Sequence, residues 1–182
     1  MQTYTRVFCA VAIALCAAPI AAMAADPRPC ELFSTKEVAS VLGVTPEDGL
    51  SYGPIIMDNP FMVDYDVAPT VWFCLWSVGE ESFSAHVTRF RSAADATREL
   101  ESVMRNLMMH PDDNRPLSEV PGPGEQNFGE IRARNGGNTG TWVSRKGQTV
   151  LGIRAARMDV KRHEIRREQL RDLAASGLRK LP

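Results

Sequence analysis

The chain has 182 residues, 44% of them hydrophobic and 24% charged, with a formal net charge of −1. That is the balance of a soluble globular protein. It gives no ground for nucleic-acid binding, and no segment beyond the N-terminus is apolar enough to span a bilayer. Charge is nevertheless unevenly spread: residues 25–80 hold 2 basic and 9 acidic side chains, residues 131–182 hold 13 basic and 4 acidic. Two readings follow. Either the ends attract each other or form separate solvated faces, or the last stretch offers a basic face to an anionic lipid, glycan or nucleic acid.

The opening segment, MQTYTRVFCAVAIALCAAPIAAMAAD, reads as a secretory signal. Arg6 precedes an apolar run from Val7 to Ala18, and Ala22-Met23-Ala24 supplies an A-x-A cleavage site. The run is shorter than the roughly 20 residues a spanning helix needs. Cys16 is rejected as a lipid-attachment cysteine because Leu15 is large where that motif has a small residue. Cleavage after Ala24 leaves a single expected domain, residues 25–182, in the periplasm or outside the cell. Four cysteines then fall to two, Cys30 and Cys74. An oxidising compartment favours pairing them, and the chain-entropy model credits a loop of this length with about 4 kcal/mol. There is no CxxC motif and no histidine cluster, so neither a redox motif nor a metal site is expected.

The predicted elements begin at FSTKEVASVLG. Ser34 caps a helix from Thr35 to Leu42, Glu37 completes a capping box, Phe33 and Val38 form a staple, and Gly43 ends it. Residues 44–69 are rich in Pro, Gly and Asp and read as a long loop with a short strand near Gly53 to Met57. TVWFCLWSV is a buried strand with Trp72, Cys74 and Trp76 on one face and Val71, Phe73 and Leu75 on the other. Across a Gly79-Glu80-Glu81 turn, SFSAHVTRF alternates likewise, Phe83, Ala85 and Val87 against Ser84, His86 and Thr88. Ser92 and Asp95 resemble a second capping box, opening a helix with Ala96, Leu100, Val103, Met104 and Leu107 at helical spacing. After a Pro- and Gly-rich connection come three strands, near Phe128 to Arg134, Gly140 to Arg145 and Thr149 to Ala155. Their turns are NGGN and KGQ. A last helix is expected from Val160 to Leu178, with Leu170, Leu173, Ala174, Leu178 and Leu181 as its apolar stripe. Hairpin-linked strands predict an α+β fold with an antiparallel sheet, order α-β-β-α-β-β-β-α, in which the helix-strand-strand unit recurs.

No catalytic constellation stands out. HEIRRE fails as a zinc helix because Arg167 occupies the second ligand position after His163. His110, Asp112 and Asp113, like Asp58, Asp64 and Asp66, carry oxygen donors without a calcium-loop spacing. Neither GPGEQNFG nor NGGNTG has the lysine of a phosphate loop, and no nucleophile elbow is present. The helix basic residues Lys161, Arg162, Arg166, Arg167 and Arg171 are interleaved with acids, as on a solvated face. Arg132, Arg134, Arg145, Lys146, Arg154 and Arg157 are different, because no acid lies between 131 and 157. Strand alternation can gather several of them on one sheet face, so they form the candidate anion-binding set.

Cys30, Leu32, Ser34, Glu37, Val38, Leu42 and Gly43, followed by Cys74 and Trp76, resemble the pattern of small exported domains of unknown function in bacterial envelope proteins. VPGPGEQNFGEIRA is similar to their Gly-x-Gly turn before a strand. The resemblance implies a PsbP-like α+β sandwich and transfers no catalytic residue. The expectation is a non-enzymatic binding or accessory module of the envelope, without cofactor or metal, engaging a protein, lipid or glycan. A small periplasmic hydrolase using His86 or His110 is the alternative, and an anion-binding surface protein the third reading.

Overall fold

The Ser-x-x-Glu box sets the first long helix. In the computed structural model the Glu37 amide donates to Ser34 Oγ at 3.2 Å, and the Ser34 amide donates to the Glu37 carboxylate at 2.7 Å. Helix α2, Thr35–Leu42, ends where Gly43 takes φ +64° and Val44 N–H reaches the Ala39 carbonyl at 3.0 Å. The structure describes residues 28–54, 70–108, 119–134, 137–158 and 164–182, apart from the side chains of 70, 102–108 and 134. The signal segment therefore lies outside the described residues. So do Asp58, Asp64, Asp66, His110, Asp112, Asp113, Asn135, Gly136, Lys161, Arg162 and His163, with the side chains of Val103, Met104, Leu107 and Arg134.

A four-residue helix, α1 (Pro29–Leu32), precedes α2. It is too short to show a periodic pattern, but Pro29 supplies a helical φ at its start. A 3-10 turn at Pro46–Asp48 leads to β1 (Ser51–Pro54), a little before the expected strand. Then come β2 (Thr70–Val78), β3 (Glu81–Arg89), α3 (Ala93–Met108), β4 (Gln126–Arg134), β5 (Gly137–Lys146), β6 (Thr149–Arg157) and α4 (Arg167–Lys180). Ser92 opens α3 as expected, accepting from the Asp95 amide at 3.1 Å.

Six strands form one antiparallel sheet in the order β1-β2-β3-β6-β5-β4. Two three-strand meanders thus meet through their third strands, with Ser84 opposite Arg154 and His86 opposite Gly152. The repetition stops at the strands. Helix α2 packs on one face and α3 on the other, so the helices do not follow the symmetry of the meanders.

Period-two alternation decides what each face holds. On the inner face Cys74, Trp76, Phe83, Ala85, Val87, Trp142, Leu151 and Ile153 are buried under α1, α2 and α4. Phe33, expected to staple α2, packs edge-on against Phe83 at 5.6 Å and Trp76 at 6.3 Å. The outer face has a smaller cluster, in which Ala96 and Leu100 of α3 meet Phe90, Phe128, Val143 and Val150. Cys30 in α1 and Cys74 in β2 are bridged, sulfur to sulfur 2.03 Å.

The last helix departs from expectation. It begins at Arg167, and Glu164 to Arg166 are not helical. Ile165 is buried against Gly140, and the extended Arg166 backbone leads from it into the helix. The Gln169 side chain then accepts from the Arg166 amide at 3.0 Å and closes the first turn. The apolar stripe of Leu170, Leu173, Ala174 and Leu178 is buried as its spacing predicts.

Candidate functional site

The candidate anion-binding residues divide between the two faces. Strand pairing puts Arg132, Arg145 and Arg154 on the outer face in different rows, while Lys146 and Arg157 belong to the inner one. The Arg134 backbone ends β4, and its side chain lies outside the described residues.

Most of these cations already have partners. Arg132 donates to Glu130 two positions away on the same strand face. Arg145 meets Glu125 at 2.5 Å and the Gly147 carbonyl at 3.2 Å. Lys146 donates to the Leu178 and Leu181 carbonyls at 3.3 and 2.9 Å, satisfying the end of α4 where a cation suits the helix dipole. Arg157 is only 4% exposed, donates to the Leu42 carbonyl at the end of α2, and lies 3.8 Å from Glu81. The basic stretch is compensated by Glu81, Glu125 and Glu130, acids that all lie outside it in sequence.

Arg154 is the exception. It is exposed on β6, between Ser84 of β3 and Thr141 of β5 on the same face. No hydrogen bond or ion pair joins Arg154, Ser84 or Thr141 to another side chain among the described residues. One step along the sheet His86 faces Gly152, and its ring occupies the volume a Cβ at 152 would need. Burial alone lowers the His86 imidazole from 6.5 to about 4, so it is neutral at physiological pH. Phe73 and Leu75, the β2 neighbours of His86 and Ser84, are half-buried. Strand alternation marked Ser84 and His86 as neighbours on a polar face. Thr141 had no comparable signal, because its proximity depends on the strand order.

Among the described residues the patch gathers a cation and two hydroxyls that suit an anion. Ser84 and His86 share a face, the imidazole packs against Gly152, and no carboxylate orients it among the described residues. Nor do three His, Cys, Asp or Glu side chains converge as metal ligands among the described residues.

No known family model matches the chain, and no curated protein sequence matches it. Among solved structures, its fold is similar to that of the extracellular domain of PknH from Mycobacterium tuberculosis. The TM-score is 0.57 with 14% sequence identity, over 84% of this chain and 94% of that one. At that identity the likeness establishes a shared α+β fold.

Proposed function

We propose that the chain is an exported domain of the cell envelope that binds its partner without transforming it. The observation that carries this reading is a row of polar side chains on the outer face: Arg154 is exposed between Ser84 and Thr141, and none of the three has a side-chain partner among the described residues. The signal segment ending near Ala24 and the Cys30–Cys74 bridge support export to the periplasm or beyond. The solved domain of similar fold is itself described as extracellular, which agrees with an envelope role and leaves the PsbP-like assignment within this proposal. Among protein, lipid and glycan partners the outer face suits a small lipid or glycan best, since its unpaired groups among the described residues sit side by side on three strands.

Native mass spectrometry of protein isolated from its own envelope tests the reading. A bound small molecule is expected on the wild type and lost in Thr141→Trp, which fills the outer face with a residue that strands accept. An unchanged unfolding midpoint certifies the variant. Absence of any adduct, or turnover of ester or glycoside substrates abolished by His86→Gln, would overturn the proposal in favour of the hydrolase alternative.

A further inference from the structure

The polar patch on the outer face carries enough chemistry to name a ligand class, on the premise that the domain is a binding module. Arg154 projects from the middle strand of three, with the Ser84 and Thr141 hydroxyls on either side at the same register. Cross-strand Cβ atoms on one face lie roughly 4.5–5.5 Å apart, so all three groups reach one small anion. Serine and threonine hydroxyls stay close to the sheet surface, whereas the guanidinium stands above it on its longer stem. An oxyanion seated on the sheet would therefore meet hydroxyls beneath and a planar fork of N–H donors above.

Charge count narrows the choice. Arg132, on the same face, is already held by Glu130, which occupies the register row of Arg154 beyond Thr141. The patch offers one uncompensated positive charge, matching a monoanion and not a phosphate monoester of nearly two charges. Phe73 and Leu75 continue the patch on β2 as an apolar strip, directly beside His86 and Ser84. A neutral imidazole extends that strip without adding charge.

We infer that the outer sheet face binds a small carboxylic acid with an apolar body, its carboxylate between Arg154, Ser84 and Thr141 and its body along Leu75 and Phe73. The arrangement asks for both parts of such a ligand. The carboxylate fixes orientation, and the apolar body adds affinity that a bare anion lacks.

Isothermal titration of the purified protein with octanoate, acetate, 1-octanol and inorganic phosphate tests this. Octanoate is expected to bind saturably, with acetate and octanol each at least tenfold weaker. Arg154→Gln should lose at least tenfold in octanoate affinity with an unchanged unfolding midpoint, and Arg154→Lys should recover only part of it, because an ammonium lacks the bidentate fork. Leu75→Ser should weaken octanoate and leave acetate unaffected. Octanoate binding equally well to Arg154→Gln, phosphate binding more tightly than octanoate, or no octanoate binding at all would each overturn the inference. If octanoate fails while the envelope-isolated protein still carries an adduct lost in Thr141→Trp, the ligand class is wrong and the binding module stands. If no adduct is found either, both fall.

Discussion

His86 makes the native state sensitive to acid. Burial lowers its imidazole to about 4, while the unfolded chain takes up the same proton near 6.5. Between those values the unfolded state binds more protons, so stability is fully present above 6.5 and declines as pH falls toward 4. In urea titrations at pH 7 and 4.5 the wild type should lose about 2 kcal/mol more than His86→Gln. Equal losses would show that the imidazole is solvated in the native state. The cysteines make a second prediction at this scale: the denatured, unreduced mature protein, without the signal segment, should present no titratable thiol, and replacing both Cys30 and Cys74 by serine should cost about 2–4 kcal/mol. The faces on which these residues lie could be read from strand alternation, as with Cys74 beside Trp76. The partners of the basic residues could not. Arg157 and Glu81 are far apart in sequence, and only the β3–β6 pairing brings them to 3.8 Å.

At the scale of elements, the clearest sequence signals were local ones. Ser34, Glu37 and Gly43 act within a few residues of each other, so the start and stop of α2 were legible. The start of α4 was not, because it is decided by the burial of Ile165 in the tertiary core and not by local helix preference. Glu37 also serves beyond its own helix. Burial pushes its carboxyl up, but hydrogen bonds from the Ser34 amide and hydroxyl and from Ser176, with the Lys180 charge, outweigh that and hold it below 4.5. Its contribution is therefore present above the usual glutamate range and lost as pH falls through the lowered value. Ser34→Ala should cost about 1 kcal/mol at pH 7, measured by thermal unfolding, with a smaller difference once Glu37 is protonated. A difference independent of pH would mean that the carboxylate does not take part in the cap.

For the whole molecule the critical contact is between a strand and the end of a helix. Arg157 is buried, satisfies the Leu42 carbonyl and approaches Glu81, so it ties the last strand to both α2 and β3. Arg157→Met keeps the length of the side chain but leaves a buried acceptor and a half-buried acid behind. A loss of about 3 kcal/mol is expected in chemical unfolding, larger than for any exposed arginine such as Arg171. An α+β class with hairpin-linked strands was legible in the sequence. The strand order was not, since nothing local says that β3 pairs with β6.

That pairing divides the molecule into parts answerable to different conditions. The bridge from Cys30 to Cys74 closes a loop wholly inside the first meander and its helices. Across the seam the ties are non-covalent: the β3–β6 ladder, Arg157 to Leu42, Lys180 to Leu32, Ser176 to Glu37, and the His86 ring packed against Gly152. A reductant should loosen the N-terminal half and leave the seam closed, whereas acid should weaken the seam through His86 and Glu37 and leave the bridge intact. Hydrogen exchange would separate the two responses, with β1 and β2 amides quickening under reductant and β3 and β6 amides quickening near pH 4. A fold built this way has two release points, one opened by electrons and the other by protons.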